Sequence, residues 1–200
     1  IEGKGTSKDI NGAVEWLEKA RSNGYIYSLL GLLECYRLLD NSSKRFIIAQ
    51  EIKEKMGNPF HLAECYLFGI GCKQNLSIVY NLLSEIANGK VEFKSPQGTL
   101  RLTPAHRYAA QLYIGVANYF DKNKTNHYEE AIRWLNSVID SSEAIATDRG
   151  KAMCLLQRCY RFGRGVKADV AKANDLERES KKMISEDEYN EFLKHFEASY

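Results

Sequence analysis

Apolar residues recur along the chain at intervals of three and four, the spacing of residues on one face of an α-helix. Five segments carry such a stripe at positions 0, +3 and +7, and each of the last four follows another segment of helical pattern. Three of those preceding segments carry Leu and Tyr four residues apart. The pattern predicts antiparallel helix pairs, each a first helix followed by a second helix. The five second-helix stripes are Ala13/Trp16/Ala20, Ala49/Ile52/Met56, Val79/Leu82/Ile86, Ala131/Trp134/Val138 and Ala173/Leu176/Ser180.

Nearly the same twelve residues occur twice, at positions 64–75 and 158–169, and each copy contains Gly-x-Gly. Gly69 and Gly163 stand three residues after the Tyr of a first helix, which suits a left-handed helix C-cap. Asp169 has the side chain of an N-cap for the helix that follows. A phosphate-binding loop would need a preceding strand and a third glycine, and the sequence has neither. The motif therefore predicts the turn between two antiparallel helices.

These residues follow the pattern A-x3-L-x3-Y-x2-G-x-G-V-x2-D-x3-A-x2-(W/L)-x3-A, which resembles the Sel1-like repeat, a branch of the tetratricopeptide solenoids. Residues 152–180 match best, 3–24 match as a half-repeat, and 62–89 match with substitutions. The copies at 25–57 and 104–140 are degenerate and nearer a plain tetratricopeptide. The resemblance implies an all-α fold, a right-handed α-α superhelix of antiparallel helix pairs, that binds other proteins on an extended concave surface.

The domain organisation that we expect is one repeat solenoid over residues 1–184 and a C-terminal capping helix over 185–200. Residues 90–102 belong to no repeat; they alternate apolar and polar positions about Ser95–Gly98 and predict an inserted hairpin or loop. In the last segment, Tyr189, Phe192 and Phe196 share one helix face behind a capping box at Ser185. The chain begins where a first helix should have ended, so we expect an excerpt of a longer protein.

Composition excludes several classes of partner and of chemistry. The 200 residues are 27 % charged with a formal net charge of +2, too small to favour nucleic acid, and no apolar run is long enough to span a membrane. No hydrolase, kinase or metalloprotease signature occurs. We therefore expect no enzyme activity within this chain and no cofactor.

The five cysteines invite a disulfide or a metal site. Cys35, Cys65 and Cys159 each stand directly before the Tyr of a first helix, so the repeat itself places them, and free Cys packs as a small apolar residue. No C-x2-C pair occurs, and the four His lie at no ligand spacing from the cysteines. We therefore interpret the cysteines as reduced, structural thiols of a cytoplasmic protein.

The predicted binding surface is the side of each first helix that lies opposite its packing residues. With the framework Tyr at zero, positions −9, −6, −2 and +1 lie on that side, which in tetratricopeptide-type solenoids faces the concave groove. Phe60, Leu67, Leu112 and Tyr119 would bury apolar anchors of a partner segment, and Lys151, Arg158 and Arg161 would hold its acidic end. The same rule selects Tyr27, Leu30, Glu34 and Arg37 on the earliest first helix.

Two alternatives concern this surface and one concerns the function. The chain's own insertion, or neighbouring helices in a tightly wound stack, could cover the apolar part of the groove. The 90–102 insertion could itself be a partner-binding projection. The chain is predicted to be a protein-interaction module, an adaptor or scaffold; the alternative is a substrate-docking or regulatory C-terminal domain of a larger enzyme such as a kinase.

Overall fold

The structure, a computed structural model, describes residues 9–90, 92–95 and 98–197. This part of the chain is mainly helical, which confirms the all-α class, and the five predicted second helices are α1, α3, α5, α7 and α9. Residues 1–8, which include the start of the half-repeat predicted at 3–24, lie outside the described residues. In chain order the helices are α1 (Ile10–Ser22), α2 (Ser28–Leu38), α3 (Ser42–Met56), α4 (Phe60–Phe68), α5 (Leu76–Ala87), α6 (Pro104–Phe120), α7 (His127–Ile139), α8 (Ala146–Phe162), α9 (Val170–Met183) and α10 (Glu186–Glu197).

The 90–102 insertion contains a short hairpin between α5 and α6. Strand β1 (Glu92–Ser95) pairs antiparallel with β2 (Gly98–Arg101), and Glu92 lies opposite Arg101. The predicted turn between the strands includes residues 96 and 97, which lie outside the described residues. The described part of the insertion therefore forms a hairpin, one of the two forms, hairpin or loop, that the sequence predicts.

The described residues divide into two compact units. Of these residues, unit 1 comprises 9–75, 92–95 and 98–101, hence α1 to α4 and the hairpin; unit 2 comprises 76–90 and 102–197, hence α5 to α10.

Unit 1 is built from helices that each pack on the next along the chain, α1 on α2, α2 on α3 and α3 on α4. The fully buried Leu29, Leu32, Ala49 and Ile52 come from the predicted apolar faces of α2 and α3. Arg21 of α1 forms an ion pair with Glu51 of α3. The two second helices of this unit are therefore joined by charge as well as by their shared contact with α2.

Unit 2 repeats this arrangement and adds polar contacts between its helices. Gln111 of α6 donates from Nε2 to the carbonyl of Ala87 (3.0 Å) and accepts from Ser137 of α7 (2.9 Å). The hydroxyl of Ser180 in α9 donates to the carbonyl of Gly150 in α8 (2.7 Å). Because these polar atoms find partners on neighbouring helices, unit 2 can bury helix faces that are not purely apolar.

The Gly-x-Gly segments form the predicted turns. Gly69 ends α4 and Gly163 ends α8, both in the left-handed region with φ of 72° and 66°. The Asp169 side chain accepts from Lys172 N (2.9 Å) and so caps α9. The second glycine of each pair, Gly71 and Gly165, also has positive φ and lies against the start of the preceding second helix. The motif thus ends one helix and leaves room for another.

Candidate binding surfaces

In unit 1 the predicted row on α2 faces solvent. Tyr27 is 60 % and Leu30 40 % exposed, and Arg37 is exposed with its guanidinium donating to both carboxylate oxygens of Glu34 (2.8 and 2.7 Å). We call these four residues, Tyr27, Leu30, Glu34 and Arg37, the α2 row. Spacings of three, four and three keep them on one side of the helix.

The next first helix, α4, follows the prediction only in part. Phe60 is half-buried, whereas Leu67 is fully buried. Glu64 is half-buried and bonded to Arg45 of α3 (2.9 Å). The expectation that Leu67 lies on a solvent-facing stripe is wrong, because its side chain is fully buried; its part in partner binding stays a prediction.

In unit 2 most of the predicted positions do not face solvent. Leu112 and Tyr119 of α6 are 1 % and 2 % exposed, and Arg158 of α8 is 8 % exposed. Lys151 and Arg161 are half-buried. The expectation of an open stripe is therefore wrong for three of these five residues; their part in partner binding stays a prediction. For Tyr119, the aromatic contacts below identify the C-terminal helix α10 as one cause of burial.

The C-terminal helix α10 is held at its start by local hydrogen bonds. Ser185 N donates to the Glu188 carboxylate (3.0 Å) and Glu188 N donates to Ser185 Oγ (3.2 Å), the reciprocal bonds of a capping box. Ile184, just before it, is 5 % exposed and lies against Gly150 of α8, where a Cβ would approach its Cγ2 to 2.9 Å. The chain therefore turns tightly between α9 and α10, over Ile184 and Ser185 alone.

The apolar side of α10 packs against the ends of two first helices. Phe196 stacks on Phe120 (centroids 5.1 Å apart, planes at 8°) and meets Tyr119 edge to face (5.5 Å, 88°). Phe192 packs on Phe196 at 5.1 Å. Nearer its start, Tyr189 accepts a hydrogen bond from Gln157 of α8 (3.4 Å). Helix α10 thus contacts α6 as well as the last helix pair, α8 and α9.

Positive charge lies beside the same helix. Lys181 of α9 places its ammonium 5.0 Å from the centre of the Tyr189 ring. The pKa of Glu188 is lowered, first by the hydrogen bonds from Ser185 and also by the charge of Lys151. Lys151, predicted to hold an acidic segment, therefore acts on a carboxylate of the chain itself.

The two predicted arginines make contacts within unit 2. Arg161 donates to Glu177 (3.0 Å) and Asn174 (3.1 Å) of α9. The Arg158 guanidinium lies 5.6 Å from the ring centre of Phe162. Burial raises the pKa of Tyr119, and the positive charges of Arg158 and Arg164, the latter of which donates to the Tyr119 hydroxyl, act in the opposite direction. Arg161 thus joins α8 to α9, a role that helical periodicity alone does not reveal.

The cysteines have the environment of packing residues. All five are free, and all but Cys72 are buried. Burial raises the pKa of the Cys65, Cys154 and Cys159 thiols to about 12, so they are protonated at neutral pH. In the part of the chain that the structure describes, no group of three or more His, Cys, Asp or Glu side chains could hold a metal ion.

A cleft between α1, α2 and α3 in unit 1 is lined by charged groups that bind one another. Glu18 accepts from the hydroxyl of Tyr36 (3.0 Å) and from Arg21 (3.0 Å), and Lys44 lies 5.1 Å from the centre of the Tyr36 ring. Burial and the bond to Glu18 raise the pKa of Tyr36 to about 12. This network holds the three helices together.

Comparison with known proteins identifies the repeat. The family model described as Sel1 repeat matches residues 1–25, 60–78 and 150–176, which confirms the resemblance. No curated protein and no solved structure matches the chain significantly. Sel1 repeats are generally protein-interaction modules. Among the described residues, no helix is both long and apolar enough to cross a membrane.

Proposed function

Because this chain carries Sel1-like repeats, we propose that it is an adaptor or scaffold that holds a partner segment with apolar anchors and an acidic end on its first-helix faces. The observation that carries this proposal is the exposure of the α2 row. Tyr27 and Leu30 stand where the repeat pattern puts partner contacts, and they are 60 % and 40 % exposed. An aromatic and an aliphatic side chain exposed side by side are typical of interaction sites.

The chemistry of the α2 row matches a segment of this kind. Tyr25, 61 % exposed, packs its ring 5.9 Å from that of Tyr27 and widens the apolar end of the row. About two helical turns beyond Leu30, Arg37 presents a guanidinium, which forms charge-assisted hydrogen bonds with carboxylates. Phe60, half-buried on α4, would add a further anchor in the same unit. A partner would therefore place its apolar residues over Tyr27 and Leu30 and its acidic residue at Arg37.

Site-specific photo-crosslinking tests the proposal. A photoreactive phenylalanine replaces Tyr27 in the full chain, and a matched control carries it at Ile47 of α3, which is 54 % exposed in the same unit. We expect position 27 to crosslink a discrete set of proteins whose crosslinked peptides carry apolar residues beside Asp or Glu. Equal crosslinking from both positions, or peptides without acidic residues, would contradict the proposal.

Affinity for the partner identified in this way gives the second measurement. Leu30→Glu should weaken binding by at least about tenfold, since burying a Leu side chain contributes roughly 1.5–3 kcal/mol and 1.4 kcal/mol is tenfold. Ile47→Glu should leave the affinity unchanged. Leu30 is exposed, so circular dichroism should show both variants folded; an unchanged affinity for Leu30→Glu would refute the site.

Two further parts of the proposal concern context. A cytoplasmic location is supported by the five free thiols, which suit a reducing compartment. If the chain is instead the docking or regulatory domain of a larger enzyme, the same row would receive the substrate or regulator, and the crosslinking experiment would identify it.

A further inference from the structure

In unit 2 the first-helix face is occupied by α10. We propose that this face is a binding site for an acidic amphipathic helix from a partner, and that α10 is its exchangeable occupant. The α6/α8 face, as we call it, consists of Tyr119, Phe120 and Gln157, which contact Phe196 or Tyr189 of α10. The inference goes beyond the proposed function, which concerns unit 1, and it is tested with different variants.

The first support is the fit of the apolar anchors. Tyr189, Phe192 and Phe196 stand at positions 0, +3 and +7 of one helix face and are 3 %, 6 % and 0 % exposed. Phe196 reaches the rings of both Tyr119 and Phe120. A helix with three aromatic anchors at this spacing is the ligand in helix-in-groove recognition. The α6/α8 face therefore already binds a helix of this kind, α10, within the same chain.

The second support is charge. Over 186–197, α10 carries five carboxylates and one Lys, a formal charge of −4 with His195 neutral. Lys151 and Lys181 lie near its first half, the former through its effect on Glu188 and the latter over the Tyr189 ring. An acidic helix is thus favoured over a basic one on this face, because a basic helix would meet like charges.

The third support is that α10 is separable from the helices beneath it. Its own capping box satisfies backbone groups at its start, so these do not depend on the rest of unit 2. Glu186, Asp187 and Asn190 on its other side are exposed. The link to α9, Ile184 and Ser185, keeps α10 close after release, at an effective concentration on the order of millimolar. A partner helix must therefore compete with α10.

The test uses the full chain and a fluorescent peptide with the sequence of residues 185–197. Three proteins are titrated: the wild type, Phe192→Ala/Phe196→Ala, which removes two anchors of α10, and Asn190→Ala, a control on the exposed side of α10. We expect the double variant to bind the peptide at least about 30-fold more tightly than the other two, because its own α10 no longer competes. A peptide lacking both phenylalanines should bind none of them.

Hydrogen exchange on the same proteins reports whether α10 dissociates from the α6/α8 face. In the wild type we expect the amides of α10 to exchange at least about 100-fold faster than those in the middle of α6 and α8, and in the double variant α10 should lose its protection while α8 keeps it. If α10 is released and the peptide still does not bind, the proposal is overturned. If the wild-type α10 exchanges as slowly as α8, α10 is part of the core and the proposal is also overturned.

Should the double variant lose protection in α8 as well, the single variant Phe192→Ala takes its place in both measurements. If the amides of α10 stay protected in that variant, α10 is not an exchangeable occupant. If α10 is released and the peptide still does not bind, the α6/α8 face is not a binding site. Neither outcome affects the α2 row, where the crosslinking result stands separately.

Discussion

Replacing the two glycines of the last Gly-x-Gly turn by alanine should lower the free energy of unfolding by different amounts. Gly163 and Gly165 have nearly equal φ, 66° and 68°, so alanine at either position is placed in the left-handed region at a cost of roughly 1–2 kcal/mol. The nearest atom to a Cβ on Gly163 is 3.5 Å away, an ordinary contact. A Cβ on Gly165 would lie 2.6 Å from Tyr128 Cβ, 2.8 Å from Tyr128 C and 2.9 Å from Glu129 N.

The last two contacts are with the backbone of α7, which cannot rotate away as a side chain can. Overpacking of this kind costs typically about 1–3 kcal/mol. Gly165→Ala should therefore destabilise unit 2 by about 1–3 kcal/mol more than Gly163→Ala, although both changes are chemically identical. Both variants carry the same backbone strain at positive φ. The difference between their free energies of unfolding therefore reports only the close contact of the new Cβ with α7.

Urea unfolding measures this difference. The chain has two Trp residues, and in a Trp16→Phe background, where the replaced side chain is 72 % exposed, fluorescence reports Trp134 of α7 alone. The midpoint should fall further for Gly165→Ala than for Gly163→Ala at an unchanged m-value. Equal destabilisation by the two alanines would refute the role of the second glycine as the space for a neighbouring helix.

The other predictions concern thiols, a buried carboxylate and the C-terminal helix. Reductant or chelator should leave Tm almost unchanged, and mass spectrometry after brief alkylation at pH 8 should find Cys72 modified first, because the other four thiols are buried; a Tm loss of several degrees would indicate a disulfide or a metal. Burial raises the pKa of Asp148, and its Oδ2 has no hydrogen-bond partner. Ionised Asp148 therefore costs stability above its raised folded-state pKa, and this cost disappears as pH falls below the ordinary Asp pKa. Asp148→Asn should raise Tm at pH 7 and bring little gain at pH 3; an equal gain at both would contradict the reasoning. Deletion of residues 185–200 should lower Tm by more than about 4 °C and promote aggregation, since it uncovers Tyr119 and Phe120; a truncated chain as soluble and stable as the parent would show that α10 does not cap the unit.

The sequence predicts the helices well because their signals are local. A stripe such as Ala173/Leu176/Ser180 records which side of a helix is buried, and caps such as Asp169 record where it begins. The binding surface is less accessible to this reasoning. Helical periodicity shows that Leu112, Tyr119 and Arg158 point away from the partner helix in their own helix pair. It does not show which other helix covers them, because that contact joins residues far apart in sequence. Phe196 meets Phe120 across 76 residues (196 − 120), and no spacing rule links the two.

One signal in the sequence separates the α2 row from the row on α6, although it does not extend to α8, where the charged Lys151, Arg158 and Arg161 are buried or half-buried. On α2 the selected positions are Tyr27, Leu30, Glu34 and Arg37, a set that ends in two charges which bond to each other. On α6 the same rule selects Ala109, Leu112, Val116 and Tyr119, with no charge among them. Another element can cover a row without charged residues at little cost in free energy, because no ion must be desolvated.

The aromatic face of α10 covers the end of this row, Tyr119, together with Phe120. Tyr189, Phe192 and Phe196 would be exposed on a detached helix, and burying each contributes about 1.5–3 kcal/mol or more. Tyr119, Phe120 and the aromatic side of α10 thus remove each other's apolar surface from water, while Glu186, Asp187 and Glu191 of α10 are exposed. A partner that takes the place of α10 on the α6/α8 face must offer both features. An aromatic helix without the acidic side would lose the attraction of Lys151 for a carboxylate, and an acidic helix without aromatic anchors would lose the ring contact of Lys181 and leave Tyr119 and Phe120 uncovered.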